Sequence, residues 1–167
     1  IEALRWAQIY PDDVAAIIGN DMCTPMTYSV WTDEKVEKKI RLMEFATKYK
    51  LQRLLCPLSN RCLTKFETKQ NKLLRKRNAF NICYINESKE ALSNVSIVEK
   101  TGYTKCPVLL FSSNGKQTQG YWLNAQKEFA AIQNAKLISY DCGHYIHYYK
   151  SYEMCAEIIK FVNSLER

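Results

Sequence analysis

No stretch of the chain approaches the roughly 18 consecutive apolar residues that a membrane-spanning helix needs. Its first residues also lack the charged, apolar, small-residue order of a secretory signal. A helical span is thereby excluded. Cysteine pairing is missing too: the seven cysteines, at 23, 56, 62, 83, 106, 142 and 155, form an odd, irregular set without a Cys-x-x-Cys. Such a set reads as reduced thiols and not as a disulfide framework, so a cytoplasmic setting is expected. No internal repeat or low-complexity tract interrupts the 167 residues, a length suited to one domain with a sizeable core. The first residue given is Ile1, already inside a helical pattern, and a true N-terminus is expected upstream of it.

What is present is a charge imbalance confined to one region. The chain carries 24 Lys+Arg against 17 Asp+Glu, a net +7. Residues 33–77 hold 14 basic and 5 acidic residues, a local +9, so the remainder is close to neutral. The cluster Lys69, Lys72, Arg75, Lys76 and Arg77 reads first as a solvated helix face, with an anionic lipid surface or a nucleic acid as the functional alternative. Aromatic residues do not interleave with it as base stacking requires, and no nucleic-acid partner is expected.

The pattern of apolar residues predicts alternating elements. Residues 1–10 (IEALRWAQIY) have a helical rhythm at Ile1, Leu4, Ala7 and Ile9 that Pro11 ends. Residues 14–19 (VAAIIG) form a short apolar run, as in a strand buried on both faces, which Asn20 and Asp21 then leave. Residues 32–102 are helical with breaks. Thr32 is a plausible N-cap before a stripe of Val36, Ile40, Met43 and Ala46, and Pro57 with Ser59 and Asn60 interrupts the pattern. A very basic helix then spans about 62–80, and another runs from about 87 to 100, stopping at Gly102. Residues 107–111 (PVLLF) are a second buried-strand run, 122–132 are helical, and 136–140 are a third strand. Residues 151–165 form an amphipathic helix with Cys155, Ile158, Ile159 and Val162 inward. Strand and helix alternate, which predicts a parallel sheet of about three strands in an α/β fold, with the helical block 32–102 inserted into it.

Between the third strand and the last helix stand Gly143 and His144. A histidine on the loop after a buried strand is placed as a general base would be, since the strand fixes it while the loop exposes it. The plainer reading is a loop histidine that satisfies a local hydrogen bond. His147, three residues on, reads as a structural neighbour.

Helix, strand, helical insertion, strand, helix, strand, Gly-His loop and final helix resembles the C-terminal half of an α/β-hydrolase. EALRWAQIYPDDV is similar to the helix after the nucleophile elbow, AAIIGNDM to the next strand, and GHYIH to the histidine loop. The resemblance covers essentially the whole chain. It implies core segments at 1–31 and 103–167, a helical cap or lid at 32–102, and a hydrolase of ester or related acyl bonds with a small-molecule acyl substrate. By the family's order of nucleophile, acid and histidine, His144 is the base. The usual site of the acid, the loop after PVLLF, holds no carboxylate at residues 112–117; Asn114 there could orient a histidine but carries no charge. Some members place the acid after the preceding strand, where Asp21 stands, and Asp21 is the implied acid.

The resemblance puts the nucleophile just before Ile1, in an N-terminal half of the same protein, so the chain alone is expected to be inactive. Met22, Met26, Tyr28 and Trp31 lie on the approach to the lid and could line an acyl pocket, or pack the lid on the core. A non-catalytic binding protein on the same fold is the alternative function, suggested by the missing carboxylate after PVLLF. A metal site of Cys142, His144 and His147 lacks a fourth ligand nearby. Cys142 as a nucleophile precedes the base on the same loop instead of facing it. No cofactor or metal is expected.

Overall fold

Strand and helix alternate as the sequence predicts in the computed structural model, which describes residues 1–51 and 63–165. Cys56, Pro57, Ser59, Asn60 and Cys62, to which the sequence assigns thiols and a helix break, lie outside the described residues. In chain order the elements are α1 (Glu2–Ile9), β1 (Ile17–Asn20), α2 (Asp33–Lys48), α3 (Lys65–Asn78), α4 (Ile82–Thr101), β2 (Val108–Ser112), α5 (Trp122–Gln133), β3 (Lys136–Ser139) and α6 (His147–Leu165). The fold is therefore α/β, with six helices and a three-strand parallel sheet among the described residues. No helix among them is long and apolar enough to cross a membrane. The cysteines at 23, 83, 106, 142 and 155 are free thiols.

The chain divides into two compact units, Ile1–Val30 with Asn94–Arg167, and Trp31–Ser93. The first holds the sheet, ordered β1-β2-β3, with Ile18 opposite Leu109 and Phe111 opposite Ile138. Strand β2 lies in the middle and all five of its residues are buried, which is why PVLLF reads as a continuous apolar run. On one face Ile17, Val108 and Leu110 pack against Leu4 and Ala7 of α1, Phe129 and Ala130 of α5, and Val98 of α4. On the other, Leu109 and Phe111 pack against Ile146 and Met154. Burying side chains of this size contributes roughly 1.5–3 kcal/mol each.

Three expectations are corrected here. Strand β1 is not buried on both faces: Ile17 is buried, but Ile18 is 41 % exposed, because the helix on its side packs against Leu109 and Phe111 of β2. The final helix begins at His147, earlier than expected, and is kinked at Lys150 (φ −133°, ψ 27°). Ile158 faces inward as expected, together with Met154 and Phe161, while Cys155, Ile159 and Val162 face solvent. Both sets follow i, i+4, i+7 and lie one residue apart, so periodicity alone does not choose between them. Ile9, placed on the inward stripe of α1, is also exposed.

In the second unit Thr32 caps α2, its Oγ1 accepting from the Lys35 N–H at 3.4 Å. Ile40 and Met43 of α2 pack on Ile85, with Val36 and Phe80 at the margin. Thr64 and Glu67 cap α3 reciprocally, a capping box. Helix α3 has no fully buried residue.

Candidate active site

The carboxyl-side ends of the three parallel strands converge on Asp21, the first residue after β1. Its backbone N–H still donates to the Phe111 carbonyl at 2.8 Å, continuing the ladder, and then the chain turns with φ 49°. Asp tolerates this left-handed geometry better than most residues, because a short polar side chain can bond locally. The turn directs the carboxylate inward, where the side chain is completely buried.

Burying a carboxylate is costly unless its oxygens are paired. Asp21 meets that demand with three donors from three segments distant in sequence. Its Oδ1 accepts from the Ser113 N–H at 2.8 Å, in the loop after β2, and from Trp122 Nε1–H at 2.7 Å, at the start of α5. Its Oδ2 lies 2.7 Å from Nδ1 of His144. With a carboxylate at that distance, Nδ1 carries the proton and Nε2 is left with its lone pair. The His144 side chain is 38 % exposed, so a wholly buried carboxylate is joined to an imidazole that reaches solvent.

The histidine loop is held on several sides. Ile146 is fully buried beneath it against Leu109 and Phe111. The Asn114 N–H donates to the Cys142 carbonyl at 3.1 Å, and Trp122 meets the imidazole edge-on at 6.0 Å between ring centres. A side chain at Gly143 would collide with the Gln117 amide, so this position requires glycine while Gln117 stays in place. The acid loop is held as well: Gln126 Nε2 donates to the Met22 carbonyl and the Tyr121 hydroxyl to the Thr27 carbonyl, both at 2.7 Å. One turn of α5 and the residue before it thus position the acid through Tyr121, Trp122 and Gln126.

The structure brings Asp21 and His144 together and assigns other partners to their neighbours. Asn114, in the loop after β2, donates from Nδ2 to Asp141 at 2.7 Å and accepts the Lys116 N–H. That bond, with Lys116 behind it, holds the Asp141 carboxyl below its usual range. His147 Nδ1 faces the Asn20 amide nitrogen at 3.1 Å, which makes Nδ1 an acceptor and leaves the proton on Nε2. Burial, followed by the Asp21 charge, pushes the Cys142 thiol up, away from the thiolate a nucleophile needs. No group of three His, Cys, Asp or Glu side chains among the described residues is arranged to hold a metal ion.

Met22 and Met26 pack against the cluster of Leu4, Leu110 and Phe129. Met22 lies over Gly19, where a Cβ would come within 2.5 Å of its sulfur. Trp31 belongs to the other unit, with Lys39 Nζ 5.2 Å from its ring centre, and Tyr28 ends a short 3-10 turn, Pro25–Tyr28. Sequence reasoning missed Ser113 and Trp122. Ser113 acts through its backbone and leaves no side-chain signal, whereas a buried tryptophan needs a partner for its N–H and was a readable one. No family model matches the chain, and neither a curated protein nor a solved structure does.

Proposed function

We propose that this chain carries the acid and the base of an α/β-hydrolase-type enzyme that cleaves an ester or related acyl bond in a small-molecule substrate. The observation that carries the reading is the bond of 2.7 Å from His144 Nδ1 to Asp21 Oδ2, between a buried, triply held carboxylate and a solvent-accessible imidazole. The order of elements around this pair, strand-acid, strand, strand-histidine, resembles the latter half of the α/β-hydrolase sheet. A partly exposed imidazole whose Nδ1 is engaged by the carboxylate leaves Nε2 as the nitrogen suited to take a proton from a nucleophile.

In the mechanism that follows, a hydroxyl nucleophile attacks the acyl carbonyl and gives its proton to Nε2 of His144. The imidazolium beside the Asp21 carboxylate then returns that proton to the departing alcohol or amine. Water repeats the sequence on the acyl-enzyme, releasing the acid and restoring the nucleophile. Among the described residues β1 has a partner strand on one edge only, and we propose that the nucleophile arrives on a further parallel strand along the other. Hydrolysis of short p-nitrophenyl esters by the intact protein tests the reading. Turnover that disappears in His144→Ala supports it. Turnover unaffected by that substitution, or none in the intact protein, favours a binding protein on the same fold.

A further inference from the structure

The basic segment of the sequence becomes a defined surface in α3. Four of its six cations, Lys65, Lys69, Lys72 and Lys76, are spaced i, i+4, i+7, i+11 and so share one face of the helix, with Arg75 and Arg77 off that stripe. The adjacent stripe, one residue on, carries Phe66, Gln70, Leu73 and Arg77. Phe66 is 69 % exposed and Leu73 55 %, although both are large and apolar. Among the described residues no carboxylate forms an ion pair with these four lysines or Arg77, and Glu67 is the helix's only acidic residue. The helix buries no residue of its own, and the capping box at Thr64 and Glu67 secures its first turn locally.

We infer that α3 is a peripheral anchor that lays this face on an anionic lipid bilayer. The two stripes match the two layers such a surface offers. Lysine ammonium groups seek the phosphate and carboxylate headgroups while their aliphatic stems lie along the apolar boundary. Phe66 and Leu73, seven residues and so two turns apart on one stripe, enter that boundary together, which removes them from water. A nucleic acid would satisfy the lysines equally well. It offers no place for Leu73, and one phenylalanine makes no stacking platform, so the exposed apolar pair favours lipid. Arg77, on the far side of Leu73 from the lysine stripe, gives the apolar pair a cation on its other flank.

Co-sedimentation of the intact protein with vesicles tests this, using phosphatidylcholine alone and phosphatidylcholine with about 30 % phosphatidylserine. The inference expects at least about tenfold tighter binding to the anionic vesicles, falling steeply as salt rises from about 0.1 to about 0.5 M. Each lysine contributes about fivefold, so changing Lys65, Lys69, Lys72 and Lys76 together to Gln weakens binding about a hundredfold or more. Phe66→Ser with Leu73→Ser, which leaves the charge unchanged, weakens it about tenfold or more. Circular dichroism and a thermal melt establish that the variants are folded, and the comparison of the two vesicle types needs no variant. Absence of binding, equal binding to both vesicle types, or an unchanged quadruple variant overturns the inference. So does single-stranded RNA binding at the same affinity that the Phe66 and Leu73 substitutions leave untouched.

Discussion

Replacing Asp21 by Asn probes the acid with little disturbance of the fold. The side chains are nearly isosteric, and Asn accepts the left-handed φ of 49° at this turn. Its oxygen can still receive the Ser113 and Trp122 donors. The amide nitrogen then takes the position of Oδ2, 2.7 Å from His144 Nδ1. An N–H facing Nδ1 demands a lone pair there, which moves the ring proton to Nε2, the atom that accepts the nucleophile's proton in the proposed mechanism. The imidazolium also loses its counter-charge. At 2.7 Å and an effective dielectric of about 20, that attraction is about 6 kcal/mol before screening. Because the His144 side chain is 38 % exposed, solvent reduces it, and about 4–5 kcal/mol is the working figure. That corresponds to about a 10³–10⁴-fold loss of turnover. The fold loses one charge-assisted bond, about 1.5–3 kcal/mol, and should still melt cooperatively. Ester hydrolysis by the intact protein measures the first effect, and nitrogen chemical shifts of the His144 ring measure the tautomer. A folded variant within about tenfold of wild-type turnover, or one whose ring keeps its proton on Nδ1, refutes the reasoning.

Three other outcomes follow from the same contacts. Trp122→Phe removes the Nε1–H donor to a buried carboxylate, and urea unfolding should show a loss of about 1.5–3 kcal/mol together with reduced turnover; unchanged stability would mean that the bond contributes nothing. Gly19→Ala drives a Cβ to within 2.8 Å of both Met22 and Leu110, and a thermal melt should show about 1–3 kcal/mol of destabilisation, whereas a neutral result would show that Met22 moves aside freely. Hydrogen bonds from Lys136 and then Lys160 hold the Glu157 carboxyl down at about 2 from 4.5. A depressed folded value means stability that is present above pH 4.5 and is lost as pH falls towards about 2, so Glu157→Gln should flatten that part of the Tm–pH curve; an unaltered acid limb would contradict the pairing.

Much of the fold was legible because its signals are local. PVLLF announces the central strand, since all of β2 is buried, and Thr32 and Gly102 mark helix ends by capping chemistry and by a φ of 92° at the glycine. His144 stands out by its place between a strand and a helix, and Asp21 only through the resemblance to an α/β-hydrolase. The donors that make Asp21 tenable were not legible, for they come from 92 and 101 residues away and one is a backbone N–H. Helix α6 was misread for a different reason. The expected inward set mixes two stripes: Ile158 belongs with Met154 and Phe161, Cys155 with Ile159 and Val162, and only packing on Leu109 and Phe111 decides which stripe wins. Strand β1 shows the same limit of local pattern: its apolar run says nothing of whether a helix covers Ile18.

The central claim is that Asp21 and His144 act as one acid–base unit on a nucleophile. Labelling of the intact protein with a fluorophosphonate probe tests it most directly, because the probe reports an activated hydroxyl whatever the natural substrate. The account predicts covalent labelling of the wild type at a single serine, abolished by His144→Ala and slowed about 10³-fold or more by Asp21→Asn. Labelling that both variants retain at the wild-type rate, or a folded wild-type protein that takes up no label, would contradict it.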